Sequence, residues 1–373
     1  MTTIRRFFVT LLLSLSSIAL CARAAEIALE PPDGFLASSI DWVGGAQYCV
    51  TGEIIDDMNS TKTAWVALVD FSNKRLVWKT NLHFSPPFSG NYALHCTSGP
   101  DAFYVLTAEQ THTEESLAQT KLMLNKLGKD GRILVSKPIN AGFDEWSYLL
   151  AADSKEIIVA GGTSDRLQRN GRMSTYLARF DTGLVRTKFT AMDSGAFWTD
   201  TKAMISSHRL RVAGQFMPNA NGVSSGHRAF AVSQIDIDAK RYMFSTYVSP
   251  PAFVSEASDF VDDGTAYYVA ATGTELIVSV VLPDGKESQH FAVKSTICDL
   301  SAIKTLGTTI NLIGSTCDAK AESTLTAIDL TTRRARSVRS IPDTVSAANL
   351  SEDSWVILTS DKGRGIVLRR GDL

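Results

Sequence analysis

Seven times along this chain, at intervals of roughly fifty residues, a short apolar run closes on a small-residue step and then meets a polar segment. The clearest copies are Tyr48-Cys49-Val50-Thr51-Gly52, Tyr104-Val105-Leu106-Thr107-Ala108, Ile157-Ile158-Val159-Ala160-Gly161 and Leu210-Arg211-Val212-Ala213-Gly214. Looser copies are Tyr268-Val269-Ala270-Ala271, Ile310-Asn311-Leu312-Ile313-Gly314 and Trp355-Val356-Ile357-Leu358-Thr359. A fixed period of this length, built from strand-forming residues, suits one four-stranded antiparallel blade per repeat. The expected fold is therefore all-β, a seven-bladed propeller. Six or eight blades are the alternatives if the late copies are misphased.

The third repeat shows how a unit is built. Tyr148-Leu149-Leu150-Ala151-Ala152 reads as a first strand, Asp153-Ser154-Lys155-Glu156 as a tight turn and Ile157 to Ala160 as a second strand. A polar loop follows, then Thr175-Tyr176-Leu177-Ala178-Arg179-Phe180 alternates as a third strand. Asp181-Thr182-Gly183 turns the chain into a fourth. The same third-to-fourth turn recurs around Asp70, Asp130, Asp236, Asp284 and Asp329. Aspartate accepts hydrogen bonds from backbone amides two residues on, and Gly or Asn tolerates the positive φ such turns need, so these acids are expected to be structural. The seventh repeat, from Val345 onward, shows only three strands. Glu26-Ile27-Ala28-Leu29-Glu30 alternates before Pro31-Pro32 and supplies a fourth, which would hide two open sheet edges.

Arg5 and Arg6 precede an uncharged apolar stretch, and Ala22-Arg23-Ala24 offers small residues where a signal peptidase reads. Residues 1–24 are read as a signal peptide and 25–373 as one propeller domain, periplasmic or secreted. The apolar stretch is too short for a helix across a bilayer core of about 30 Å, and no other segment offers a membrane span. Of five cysteines, four lie beyond residue 24. An even number in an exported chain suggests two disulfides. Cys298 opens the first strand of repeat six and Cys317 follows its second, side by side in an antiparallel pair, which leaves Cys49 for Cys96. The formal net charge of −2 and the absence of long charge runs argue against nucleic acid as a partner.

At the level of single repeats, Ala64-Trp65-Val66-Ala67-Leu68-Val69-Asp70 through Leu76-Val77-Trp78-Lys79 is similar to the strand–turn–strand of quinoprotein-type repeats. Leu325-Thr326-Ala327-Ile328-Asp329-Leu330-Thr331-Thr332 resembles the YVTN-type surface repeat. Each likeness covers about twenty residues and implies a propeller. The Gly and Trp docking pattern of quinoproteins, the sialidase Asp box, the double-glycine pattern that recurs in kelch repeats and the Trp-Asp dipeptide are absent.

Connections that carry candidate sites gather at one pole of such a ring. The second-to-third-strand segments 53–62, 109–119, 162–174 and 215–227 are long, and long loops on a rigid scaffold are common binding elements. They bring Arg166, Arg169, Arg172, His227 and Arg228, suited to gripping an anionic ligand. The blade-to-blade links hold Phe88, Phe143, Phe197 and Phe253, expected as inter-blade wedges. After them come Asp144, Glu145, Trp146, Trp198, Asp200 and Glu256. With Asp259 and Asp299, these acids would ring the channel mouth, where they would cap turns, hold a hard cation such as calcium, or act as an acid/base pair. No dense calcium loop, zinc spacing, phosphate loop or nucleophile elbow is present, so no cofactor is expected. The six histidines are scattered without ligand or relay spacing. The leading expectation is a non-enzymatic, exported monomer binding a protein or cell-envelope ligand through its long-loop face. The alternative is a hydrolase or lyase using the channel-mouth carboxylates, with or without a metal.

Overall fold

The computed structural model describes residues 25–56, 61–84, 86–111, 119–165, 172–193, 196–206, 209–220, 223–224, 229–236, 238–248, 254–318, 322–341, 343–361 and 365–373. At 172, 196–201, 206, 216–220, 223–224, 229, 247–248 and 361 the backbone alone is described. The chain forms seven antiparallel sheets around an axis. Blade 1 is β2 (Phe35–Gly44), β3 (Gln47–Asp56), β4 (Thr61–Asp70) and β5 (Arg75–Leu82); blade 2 is β6 (Gly90–Ser98), β7 (Ala102–Gln110), β8 (Thr120–Gly128) and β9 (Ile133–Pro138). Blade 3 is β10 (Asp144–Ala152), β11 (Glu156–Asp165), β12 (Arg172–Asp181) and β13 (Arg186–Asp193). Blade 4 is β14 (Ala196–Ser206), β15 (Arg209–Ala220), β17 (Ala229–Asp236) and β18 (Arg241–Val248), with a short β16 (Val223–Ser224) paired to the end of β15. Blade 5 is β19 (Ser255–Phe260), β20 (Ala266–Ala271), β21 (Glu275–Val281) and β22 (Glu287–Lys294). Blade 6 is β23 (Ile297–Leu306), β24 (Thr309–Thr316), β25 (Ser323–Asp329) and β26 (Arg334–Ile341).

Blade 7 takes its inner three strands, β27 (Val345–Leu350), β28 (Ser354–Asp361) and β29 (Gly365–Asp372), from the end of the chain. Its outer strand is β1 (Ala25–Ala28), with Ala25 opposite Arg370 and Ala28 opposite Val367. The ring is thus closed as the alternation at Glu26–Glu30 predicted. Arg369 fastens the joint: its guanidinium donates to Glu26 (3.1 Å) and Thr359 Oγ1 (3.1 Å) and pairs with Asp343. On the channel side, Asn349 Nδ2 donates to Ile40 O at 2.8 Å, tying blade 7 to blade 1.

All seven sequence copies are second strands. They read as unbroken apolar runs because both their faces are covered; β7 is buried along all but its last residue, whereas the outer β9 is exposed along most of its length. The buried side chains form seven clusters, one in each blade-to-blade interface, rather than one central core. The small-residue step has a steric cause. The inner strand of every blade but the fifth carries a β-bulge, which pushes its backbone toward the second strand. A Cβ at Gly52 would meet Leu36 O at 2.1 Å, one at Gly161 Trp146 O at 2.1 Å, and one at Gly314 Asp299 O at 2.6 Å. No side chain fits there.

The recurrent aspartates cap their turns as expected. Asp70, Asp130, Asp181, Asp236, Asp284 and Asp329 each accept a backbone N–H two to four residues on, at 2.7–3.3 Å. The positive-φ position differs from expectation in four of the six, where Lys74, Leu184, Lys240 and Arg333 hold it instead of Gly or Asn. With the aspartate fixing the turn, the strain of a left-handed residue is outweighed. The disulfides are Cys49–Cys96 and Cys298–Cys317, with Cα separations of 6.1 and 5.1 Å. Among the described residues no helix is long and apolar enough to cross a membrane.

Candidate functional site

The long connections are shorter than the sequence implied. β3, β7, β11 and β15 run past the small-residue step to Asp56, Gln110, Asp165 and Ala220. Polar residues there pair through their backbones as well as apolar ones do, with Ile55 opposite Lys62 and Asp165 opposite Arg172. The loop pole therefore carries raised two-stranded ribbons. Arg166, Arg169, His227 and Arg228 lie outside the described residues. Arg172, Trp198 and Asp200 are placed only as backbone, in β12 and β14.

Asp144 and Glu145 open β10, and both are buried. Both carboxylates reach the third strand of blade 2. Asp144 accepts Thr120 N at 3.1 Å and Ser164 Oγ at 3.3 Å. Glu145 accepts Leu122 N (2.9 Å), Ala141 N (2.8 Å), Gly142 N (3.3 Å) and the Lys121 ammonium (3.1 Å). Asn91, at the same position of β6, accepts Ala64 N at 2.7 Å and donates to Leu82 O at 2.9 Å. The shared task is to brace the third strand of the preceding blade.

The remaining acids are dispersed. Glu256 accepts the Tyr268 hydroxyl at 2.7 Å, and burial, then the carboxylate, push that phenol's pKa far above its usual value. Asp299 is exposed. Trp146 lies over Gly162, where a Cβ would come within 2.2 Å of the indole, and donates Nε1–H to the Tyr148 hydroxyl at 2.9 Å. Among the described residues no three His, Cys, Asp or Glu side chains gather as a metal site requires. Phe88 and Phe143 are half-buried and belong to none of the seven clusters, so neither is a core wedge. Phe143 instead lines a cleft.

That cleft, about 530 Å³, lies at the loop pole between blades 2 and 3. Its polar wall comprises Gln119, Lys121, Thr163, Ser164, Asp165 and Ser174. A second cleft of about 550 Å³ lies where blade 7 meets blade 1, bounded by Pro31, Pro32, Phe35, Leu36, Ile55 and Ile366.

The channel holds a charged network that sequence spacing did not reveal. Asp41, His95, Lys202, Asp259 and Lys304 come from the inner strands of blades 1, 2, 4, 5 and 6. Asp41 accepts Cys96 N of the next blade at 2.9 Å and Ser39 Oγ at 2.6 Å. Asp259 accepts Thr305 N of the next blade at 2.8 Å, with Lys304 Nζ at 3.9 Å. Burial raises the Asp259 pKa, against those two donors and Lys202. Burial lowers that of His95, which Asp41 raises and Lys202 lowers further.

No protein-family model matches the chain, and no curated protein matches it in sequence. Its fold is similar to the β-propeller domain of the trilobed protease from Pyrococcus furiosus, at TM-score 0.52 and 8% identity, over 91% of this chain and 95% of that one. It is also similar to the Pyrococcus horikoshii acylaminoacyl peptidase, at TM-score 0.50 and 8% identity, covering 89% of this chain but 50% of that one. The chain spans half the length of that peptidase. At such identities the likeness is one of fold. The P. furiosus domain has an open velcro topology, whereas β1 closes the ring here.

Proposed function

We propose that this chain is an exported, non-enzymatic β-propeller that binds a protein or cell-envelope ligand at its loop pole, with the cleft between blades 2 and 3 as the seat. The observation that carries this reading is the 530 Å³ cleft itself, at the foot of a raised ribbon and walled by hydroxyl, amide and charged groups. Such a wall suits a polar, extended ligand, whose hydrogen bonds it would satisfy. Asp144 and Glu145, two of the carboxylates the hydrolase or lyase alternative would use, are engaged by backbone amides, which weighs against that alternative. Two disulfides support an oxidising compartment, in line with the signal-type residues 1–24.

The test is to fill the cleft. Ser174→Trp and Ser174→Arg variants are compared with wild type in binding to isolated envelope fractions and to purified candidates from them. Loss of every wild-type partner in both variants, with unchanged unfolding midpoints, is the expected result. Unaltered binding would refute the assignment. N-terminal sequencing of the exported chain should begin at Ala25.

A further inference from the structure

The chemistry around the cleft between blades 2 and 3 narrows what can sit in it. Thr163 and Ser174 are register partners on β11 and β12, and Asp165 lies two residues beyond Thr163. By strand alternation all three share the face that carries Val159 and Tyr176, which is packed on blade 2. Thr163 Oγ1 donates to Asp144 O at 2.7 Å and so keeps lone pairs for an incoming donor. The Ser174 hydroxyl has no protein partner among the described residues.

From the other side come Gln119, Lys121 and the link Ala141–Gly142–Phe143. Gln119 Nε2 donates to Phe143 O at 3.0 Å, which leaves its Oε1 without a partner among the described residues. Phe143 is half-buried, belongs to no core cluster and has no aromatic or cationic partner among those residues. Other guests lack what they need here. A free anion wants an unengaged cation, but the one cation in the lining, Lys121, is taken by Glu145 and Gly142 O. A peptide docking as a strand wants open backbone amides. Those of Thr120, Leu122, Ala141, Gly142 and Phe143 all donate to protein acceptors. What remains is hydroxyl, amide and carboxylate oxygens beside a small apolar floor.

We propose that this cleft binds a glycan, through a short neutral segment whose sugar rings carry vicinal diols. The proposal deepens the preceding reading and rests on it. The C–H face of one ring packs on Phe143, and the hydroxyls around its rim meet Ser174, Thr163, Gln119 Oε1 and Asp165. The carboxylate accepts from two neighbouring hydroxyls at once, as only a diol allows. A sugar hydroxyl both donates and accepts, which matches a wall richer in acceptors than in free donors. The volume, about 530 Å³, lies in the ordinary range for small-ligand sites, so the cleft holds a few sugar units rather than a length of polymer.

The experiment treats isolated envelope fractions either with periodate, which cleaves vicinal diols, or with protease, and measures binding of wild type and four variants. Wild type should bind protease-treated and untreated fractions equally and lose binding to periodate-treated ones. Phe143→Ala, whose side chain lies outside the core clusters, should bind about tenfold more weakly, the order of one aromatic contact, while Phe143→Trp retains affinity. Ser174→Ala removes an unpartnered hydroxyl, should leave the unfolding midpoint unchanged and should weaken binding about threefold. Ser174→Arg serves as the blocked cleft. No binding by wild type, or binding that survives Ser174→Arg, refutes the cleft as the seat and this proposal with it. Binding that Ser174→Arg abolishes but that survives periodate, is removed by protease, or is equal in Phe143→Ala and wild type keeps the cleft and overturns the saccharide.

Discussion

Replacing Glu145 by alanine separates a structural carboxylate from a catalytic one. Its side chain is fully enclosed and accepts two short backbone hydrogen bonds, from Leu122 and Ala141, plus the Lys121 ammonium. Alanine leaves those amides without an acceptor, and hydrogen bonds to a charged group are worth about 1.5–3 kcal/mol each. Relief of the buried charge returns part of that sum, so the expected loss is about 3–5 kcal/mol. Asn91→Ala removes the equivalent neutral brace, where Ala64 N and Leu82 O lose one partner each, and should cost about 1–3 kcal/mol. Urea unfolding followed by tryptophan fluorescence reads both, provided the slope is unchanged. The order is the critical result. Glu145→Ala within about 0.5 kcal/mol of wild type, the usual range for surface changes, would show that the brace is not there.

Gly52→Ala should destabilise by about 1–3 kcal/mol, because its Cβ meets the Leu36 carbonyl, which cannot swing away. Arg369→Ala should loosen the closure, costing about 1–3 kcal/mol and raising amide exchange in Ala25–Ala28 ahead of the rest of the ring. Removing the Cys49–Cys96 bridge by paired serine substitutions should cost about 2–4 kcal/mol in thermal or urea unfolding. Stability should fall with acid in two stages. His95 has a lowered folded-state pKa, so the unfolded chain takes up the proton first and stability drops as pH falls below about 6.5; His95→Gln should abolish this stage. Asp70, Asp130, Asp284 and Asp329 are held below their usual value by turn hydrogen bonds, so their contribution is present above the ordinary carboxylate range and lost below it.

What could be read in advance was whatever a single blade encodes by itself. Apolar runs such as Tyr104–Ala108, turn acids such as Asp329 and the alternation at Glu26–Glu30 are local signals, and they located the strands, the turns and the closure. The Cys298–Cys317 pair followed from strand order alone. Residues that depend on the neighbouring blade were harder. Glu145 reads as a free acid in sequence, and only the approach of Leu122 from blade 2 shows it to be a brace. The channel network was hidden for a related reason. His95, Lys202 and Asp259 are more than fifty residues apart in turn, and the scatter of histidines suggested no site. A ring produces such scatter, since positions facing one axis recur once per repeat. The turn conformations at Lys74 and Leu184 were missed because residue type is a weak guide when a capping acid dictates the backbone.

The pairing of β1 with β29 also fixes where the chain enters and leaves. Ala25 lies opposite Arg370, beside the tight hairpins rather than the raised ribbons. A tether or fusion attached ahead of Ala25 or behind Leu373 would therefore hang from the rear of the disc. The molecule can be moored by either terminus and still present its open front to whatever it meets.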